Sequence, residues 1–113
     1  MFQSMMLTNP WFDLAKSCVK TIEGRLCKDK FAVIKPNDNW IIFNHDKSNH
    51  FFVRVKEVIR YNSFEEYLSQ EGLKRTLPNI RTIEEGVQIY RQFYTEEQEA
   101  SYGIIAIHFE VNR

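Results

Sequence analysis

The chain has no apolar stretch approaching the roughly eighteen residues that a bilayer-spanning helix needs. Its opening, MFQSMMLTNPW, lacks the basic start and long apolar middle of a secretory signal. Together these absences lead us to expect a protein of the cytosol or nucleus that is not held in a membrane. Cysteine is scarce: Cys18 and Cys27 are the only two, too few for a disulfide scaffold and suited to reduced thiols. Net charge is missing as well, with 15 basic residues against 15 acidic ones. Neutrality weakens any case for generic nucleic-acid affinity, which comes from neutralising phosphates with Lys and Arg. No glycine-rich phosphate loop, G-x-S-x-G elbow or C-x-x-C pair occurs, so kinase, serine-hydrolase and zinc-ribbon readings have no starting motif. His45, Asp46, His50 and Cys27 match no ligand spacing, and neither a metal nor a cofactor is expected. Internal repeats, low-complexity tracts and linkers are absent too, which leads us to expect a single domain over residues 1–113.

What is present is core material. Apolar residues make up 43% of the 113 and aromatics 14%, nine of them Phe, outside the composition of disordered chains. Charge is unevenly placed. Residues 1–62 carry ten Lys or Arg against six Asp or Glu, whereas residues 63–113 carry five against nine. Lys16, Lys20, Arg25, Lys28, Lys30 and Lys35 have only Glu23 and Asp29 among them, so a local positive patch can survive overall neutrality. The bland reading of Lys28, Lys30 and Lys35 is that they are solvated loop charges.

Local patterns place the elements. Pro10 after Thr8 or Asn9 suits a first helical position, with Trp11, Leu14, Ala15 and Cys18 as the apolar face of a short helix. NWIIFNH and HFFVRVKEVIRY alternate β-branched and aromatic residues with polar ones and read as antiparallel strands joined near DKSN. Ser63 with Glu66, Thr82 with Glu85 and Thr95 with Gln98 fit the capping box, and Gly72 and Gly103 fit helix stops. GIIAIHFEV closes as a strand whose unbroken apolar run predicts burial on both faces or a place in a barrel wall. The pattern is α+β, a curved antiparallel sheet or small barrel with helices inserted.

One short stretch concentrates opposite charges. In SCVKTIEGRL, Lys20, Glu23 and Arg25 fall within six residues. Extended backbone over residues 21–25 puts Thr21, Glu23 and Arg25 on one face and sends Ile22 and Leu26 to the core, with Lys20 at the helix-to-strand corner. Such a group can meet a nucleobase and a phosphate: Arg25 forks onto phosphate or a base edge, Lys20 adds a point charge, and Glu23 accepts from an exocyclic amine. The same spacing also suits an ordinary Glu23–Arg25 ion pair, worth about 0–1 kcal/mol if exposed. Most aromatics should fill the interior, while Trp11 and Tyr102 are the candidates for stacking on a base.

CVKTIEGR resembles the signature of the ASCH family, spaced G-x-K-x-x-E-x-R after the first helix, with Lys20, Glu23 and Arg25 at matching positions. The similarity extends through a short leading strand, WIIFNH, VIRYNSFEEYLSQEGL and LPNIRTIEEGVQIYRQFYTEEQEASYGIIAIHFEV, nearly the whole chain. Cys18 stands where the family has glycine, which bears on the tightness of that turn. The resemblance implies a PUA-like small antiparallel β-barrel with flanking inserted helices and a cleft lined by this motif. It also implies binding of RNA or single-stranded DNA through Lys20, Thr21, Glu23, Arg25, Trp11 and Tyr102. Some small ASCH proteins are instead amidohydrolases acting on N4-acetylcytidine, which makes hydrolysis of a modified nucleoside the alternative. Their nucleophilic threonine, three residues after the lysine, is replaced here by Glu23. A hydrolase would then use Lys20 with Glu23 as general base, or Thr21 in a shifted geometry.

Overall fold

The computed structural model describes residues 2–112. Strand β1 (Gln3–Met6) leads into helix α1 (Trp11–Lys16), strand β2 (Ile22–Leu26) and a 3₁₀ turn (Asp29–Val33). Strands β3 (Asn39–Phe43) and β4 (His50–Tyr61) follow as a hairpin. Helices α2 (Phe64–Glu71), α3 (Leu73–Thr76), α4 (Ile83–Arg91) and α5 (Glu96–Tyr102) then return the chain to strand β5 (Ile104–Val111). The five strands form one sheet in the order β1-β3-β4-β5-β2, antiparallel except for the β1–β3 pair, and the sheet curls into a half-barrel. Among the described residues no helix is long and apolar enough to cross a membrane.

The buried run in β5 explains why the sheet is covered on both sides. Ile105, Ile107 and Phe109 join Trp40, Ile42, Val53 and Phe12 in one core, inside the curl. Ile104 and Ala106, pointing the other way, join Ile22, Leu26, Phe64, Leu68 and Tyr90 under the helices. The strand therefore reads as continuous hydrophobicity rather than alternation.

Helix starts follow the hydroxyl signals. Thr95 and Gln98 make the full reciprocal box, Gln98 N donating to Thr95 Oγ1 at 3.1 Å and Thr95 N to Gln98 Oε1 at 2.9 Å. Ser63 accepts from Glu66 N at 3.0 Å, but the Glu66 carboxylate reaches one residue further back, to Asn62 N. Thr82 Oγ1 accepts from Glu85 N at 3.1 Å. Gly72 and Gly103 end helices with φ of 88° and 70°, backbone that side chains resist.

One expectation needs correction. Helix α1 begins at Trp11 with Pro10 as its cap residue, and the side chain of Asn9 accepts from Asp13 N at 3.1 Å. Its buried face is Phe12 and Ala15, with Cys18 exposed, because the helix stops at Lys16 and residue 18 already belongs to the corner. The short α3, additional to the helices that the hydroxyl signals mark, has no side-chain cap and follows directly on Gly72.

Candidate functional site

The corner between α1 and β2 sets the motif. Val19 N and Lys20 N both donate to the Leu14 carbonyl, at 2.9 and 3.0 Å, while Cys18 turns the chain with a φ of 69°. This is the left-handed backbone for which glycine is favoured, so Cys18 holds a conformation that its Cβ disfavours. The turn throws Lys20 inward. Its side chain is 1% exposed, and Nζ donates to the carbonyls of Ile22 at 2.7 Å and Thr76 at 2.5 Å and lies 3.3 Å from Glu23 Oε1.

Glu23 is the convergence point. Its Oε1 accepts from Gly24 N at 2.9 Å and from the Tyr90 hydroxyl at 3.2 Å, and its Oε2 faces Arg25 Nη2 at 3.3 Å. Burial raises the pKa of this carboxyl, but the charges of Lys20 and Arg25 and the Gly24 N–H together hold it below the ordinary value of 4.5. Lys20 is shifted down by its own burial, against the pull of Glu23. Behind Glu23, the Tyr67 and Tyr90 hydroxyls lie 3.2 Å apart, and burial with the nearby carboxylate pushes both phenols well above their usual range. Gly24 makes this packing fit: a Cβ there would lie 2.6 Å from the Tyr67 ring.

Glu23 keeps 8% of its side chain exposed, and that sliver opens into a cleft of about 140 Å³. Trp11, Phe93 and Tyr94 line it together with Met6, Leu7 and Arg25. Arg25 Nη2 also donates to the Met6 carbonyl at 2.6 Å, and its guanidinium lies 5.3 Å from the centre of the Phe31 ring. Tyr94, another residue of the cleft, also hydrogen-bonds this guanidinium, a fork of five N–H groups.

The structure thus brings Glu23, Arg25 and Trp11 to one cleft. Lys20 belongs to the site from behind, its amine committed to protein acceptors rather than presented to a ligand. Thr21 lines a different concavity, and Tyr102 lies away from the cleft with Lys28 Nζ 4.8 Å from its ring centre. The basic patch is largely engaged as well: Lys30 Nζ donates to the Ser4 carbonyl, Lys35 pairs with Asp38 and Lys16 reaches Asn49. Sequence reasoning missed Gly24 and Tyr90. A lone glycine inside a strand pattern signals close approach of another group, and could have flagged the first; Tyr90 reads as an ordinary helix-packing residue.

The curled five-stranded half-barrel with its helices, β2 at one edge of the sheet, is a PUA-like fold. The chain belongs to the ASCH domain family, whose model matches residues 5–113. Among solved structures it is similar to the hypothetical protein PH0355, at 42% identity and a TM-score of 0.87, over 99% of this chain and 100% of that one. It is similar to protein PF0455 from Pyrococcus furiosus at 43% identity and a TM-score of 0.77, over 98% and 97% of the two chains. A mutant of the ASCH protein of Zymomonas mobilis shares the fold at 15% identity and a TM-score of 0.64, over 95% of this chain and 67% of that one. No match is found among curated proteins.

Proposed function

We propose that the protein is a binding module that takes one amine-bearing pyrimidine, of RNA, of single-stranded DNA or of a modified nucleoside, into the cleft beside β2. One observation carries this reading: the Glu23 carboxylate, flanked by Lys20 and Arg25, lines a cleft rich in aromatic side chains. A volume of about 140 Å³ matches one six-membered ring, since a cavity of about 150 Å³ accepts benzene. Trp11, Phe93 and Tyr94 offer faces for the ring, and base–aromatic stacking contributes about 1–3 kcal/mol. Glu23 accepts from an exocyclic amine, and the Arg25 fork serves a ring carbonyl or phosphate. Cytosine presents that amine where uracil presents a carbonyl, so the carboxylate repels the second. We place the protein in the cytosol or nucleus, where such ligands occur and its two cysteines stay reduced.

Calorimetric titration with cytidine and uridine tests the reading. Cytidine should bind at least tenfold more tightly, and Phe93→Ala, an exposed residue, should weaken it severalfold without loss of folding. Equal binding of the two nucleosides contradicts it.

The Glu23 carboxylate also favours the second reading, hydrolysis of an acylated cytidine. Glu23 would activate water for attack on the acyl carbonyl, releasing the acid and cytidine. Thr21 stands outside the cleft, which leaves Glu23 as the residue to test. Incubation with N4-acetylcytidine, followed by chromatography for cytidine, decides between them. Product that disappears in Glu23→Gln establishes hydrolysis, and absence of product leaves the binding module.

A further inference from the structure

The second concavity lies on the other side of the Lys20–Glu23 pair, with a volume of about 290 Å³. Three elements send donors to it. Thr21 comes from the lead into β2, Arg75 from α3, and Lys56 from β4. The β4–β5 register explains Lys56: Val55 pairs with Phe109 and Glu57 with His108, so Lys56 is the extra residue of a bulge. Bulges re-aim side chains that regular pleating would leave elsewhere. Arg75 is held alongside Thr21 by the backbone, Thr21 N donating to the Arg75 carbonyl at 3.0 Å.

The charges there do not cancel. Glu110 is the carboxylate lining the concavity, and its Oε1 is taken by Arg54 at 2.7 Å. His108 directs Nε2 to buried Glu71 at 3.0 Å. Lys20 is balanced by Glu23. Among the described residues, neither Lys56 nor Arg75 has an ion-pair or hydrogen-bond partner for its side chain. Two unpartnered cationic residues and a threonine lining one recess of this size supply the donors that a tetrahedral oxyanion takes.

We propose that this concavity is an anion site that takes a phosphoryl group on Lys56, Arg75 and Thr21, independently of the cleft that receives the base. The phosphoryl group can belong to a nucleic-acid strand or to a free phosphate ester. Backbone amide NMR distinguishes these sources. Inorganic phosphate at low salt should shift the amides of Thr21, Lys56 and Arg75 with one shared midpoint. The double variant Lys56→Gln, Arg75→Gln alters exposed side chains only, and should weaken that binding at least tenfold while leaving cytidine binding in the cleft unchanged. A single-stranded oligonucleotide that outcompetes phosphate at these amides identifies the strand as the source; equal competition by sugar phosphates identifies the free ester. Shifts scattered over Lys28, Lys35, Arg60 and Arg81 without a common midpoint overturn the proposal, as does phosphate binding that the double variant retains. Failure of cytidine to bind overturns the cleft reading while leaving the phosphate result standing.

Discussion

Glu23 is held ionised in a nearly dry place by Lys20, Arg25, Tyr90 and the Gly24 N–H, and each of these has a measurable consequence. Removing a partner from a buried ion pair leaves an uncompensated charge, which costs about 3 kcal/mol or more. Lys20→Met should therefore lower stability by about 3 kcal/mol, read as a fall in melting temperature of roughly 10 °C. The depressed pKa of Glu23 fixes the sign of the acid response. The unfolded chain binds the proton first, so the contribution of Glu23 is complete above its ordinary value of 4.5 and is lost as pH falls through the lower folded value. Denaturant titrations between pH 6 and about pH 3 should show a loss of stability that is smaller in Glu23→Gln. A loss of equal size in the variant assigns the acid response to other carboxylates. Cys18, with its φ of 69°, gives an independent test of the corner. Left-handed backbone costs a residue with Cβ about 1–2 kcal/mol, and glycine's extra freedom in the unfolded chain returns about 0.5–1 of that. Cys18→Gly should raise stability by roughly 0.5–1 kcal/mol in thermal unfolding.

Strand β2 joins the cleft to the core because its two faces do different work. Ile22 and Leu26 pack under the helices, while Glu23 and Arg25 face the cleft, and Gly24 lets the Tyr67 ring approach. Gly24→Ala places a methyl 2.6 Å from that ring, and overpacking of this kind costs about 1–3 kcal/mol. It should also weaken cytidine binding, because Tyr67 supports the Tyr90 hydroxyl that reaches Glu23; unchanged binding separates the tyrosine pair from the site. Much of this architecture was legible in the chain. Alternation marked β3 and β4, hydroxyl caps marked α2, α4 and α5, and the apolar run marked a doubly covered β5, since these signals act over a few residues. The charged motif marked β2 by the same local logic. Side-chain direction over longer spans was not legible. Lys20 reads as a ligand cation from spacing, yet its amine meets Thr76, 56 residues away in sequence. Tyr90 meets Glu23 across 67 residues, a contact that neither periodicity nor capping can announce.

Across the whole molecule, formal neutrality and a basic patch spent on internal partners limit what electrostatics can add to binding. Single-stranded RNA should bind weakly, neutralising about two to four phosphates, which corresponds to a log affinity against log salt slope of roughly −1.5 to −3. Steep salt dependence, or tight salt-insensitive binding to long duplex, contradicts that picture. The two proposed sites are separate, a cleft lined by Glu23 and Arg25 and a basic recess lined by Lys56 and Arg75. A crystal soaked with cytidine reads the contents of the cleft at the level of single atoms. The pyrimidine should lie between Trp11, Phe93 and Tyr94, with its exocyclic amine within hydrogen-bond distance of Glu23. A base bound elsewhere on the protein, or one seated in the cleft with its amine turned away from Glu23, would contradict it.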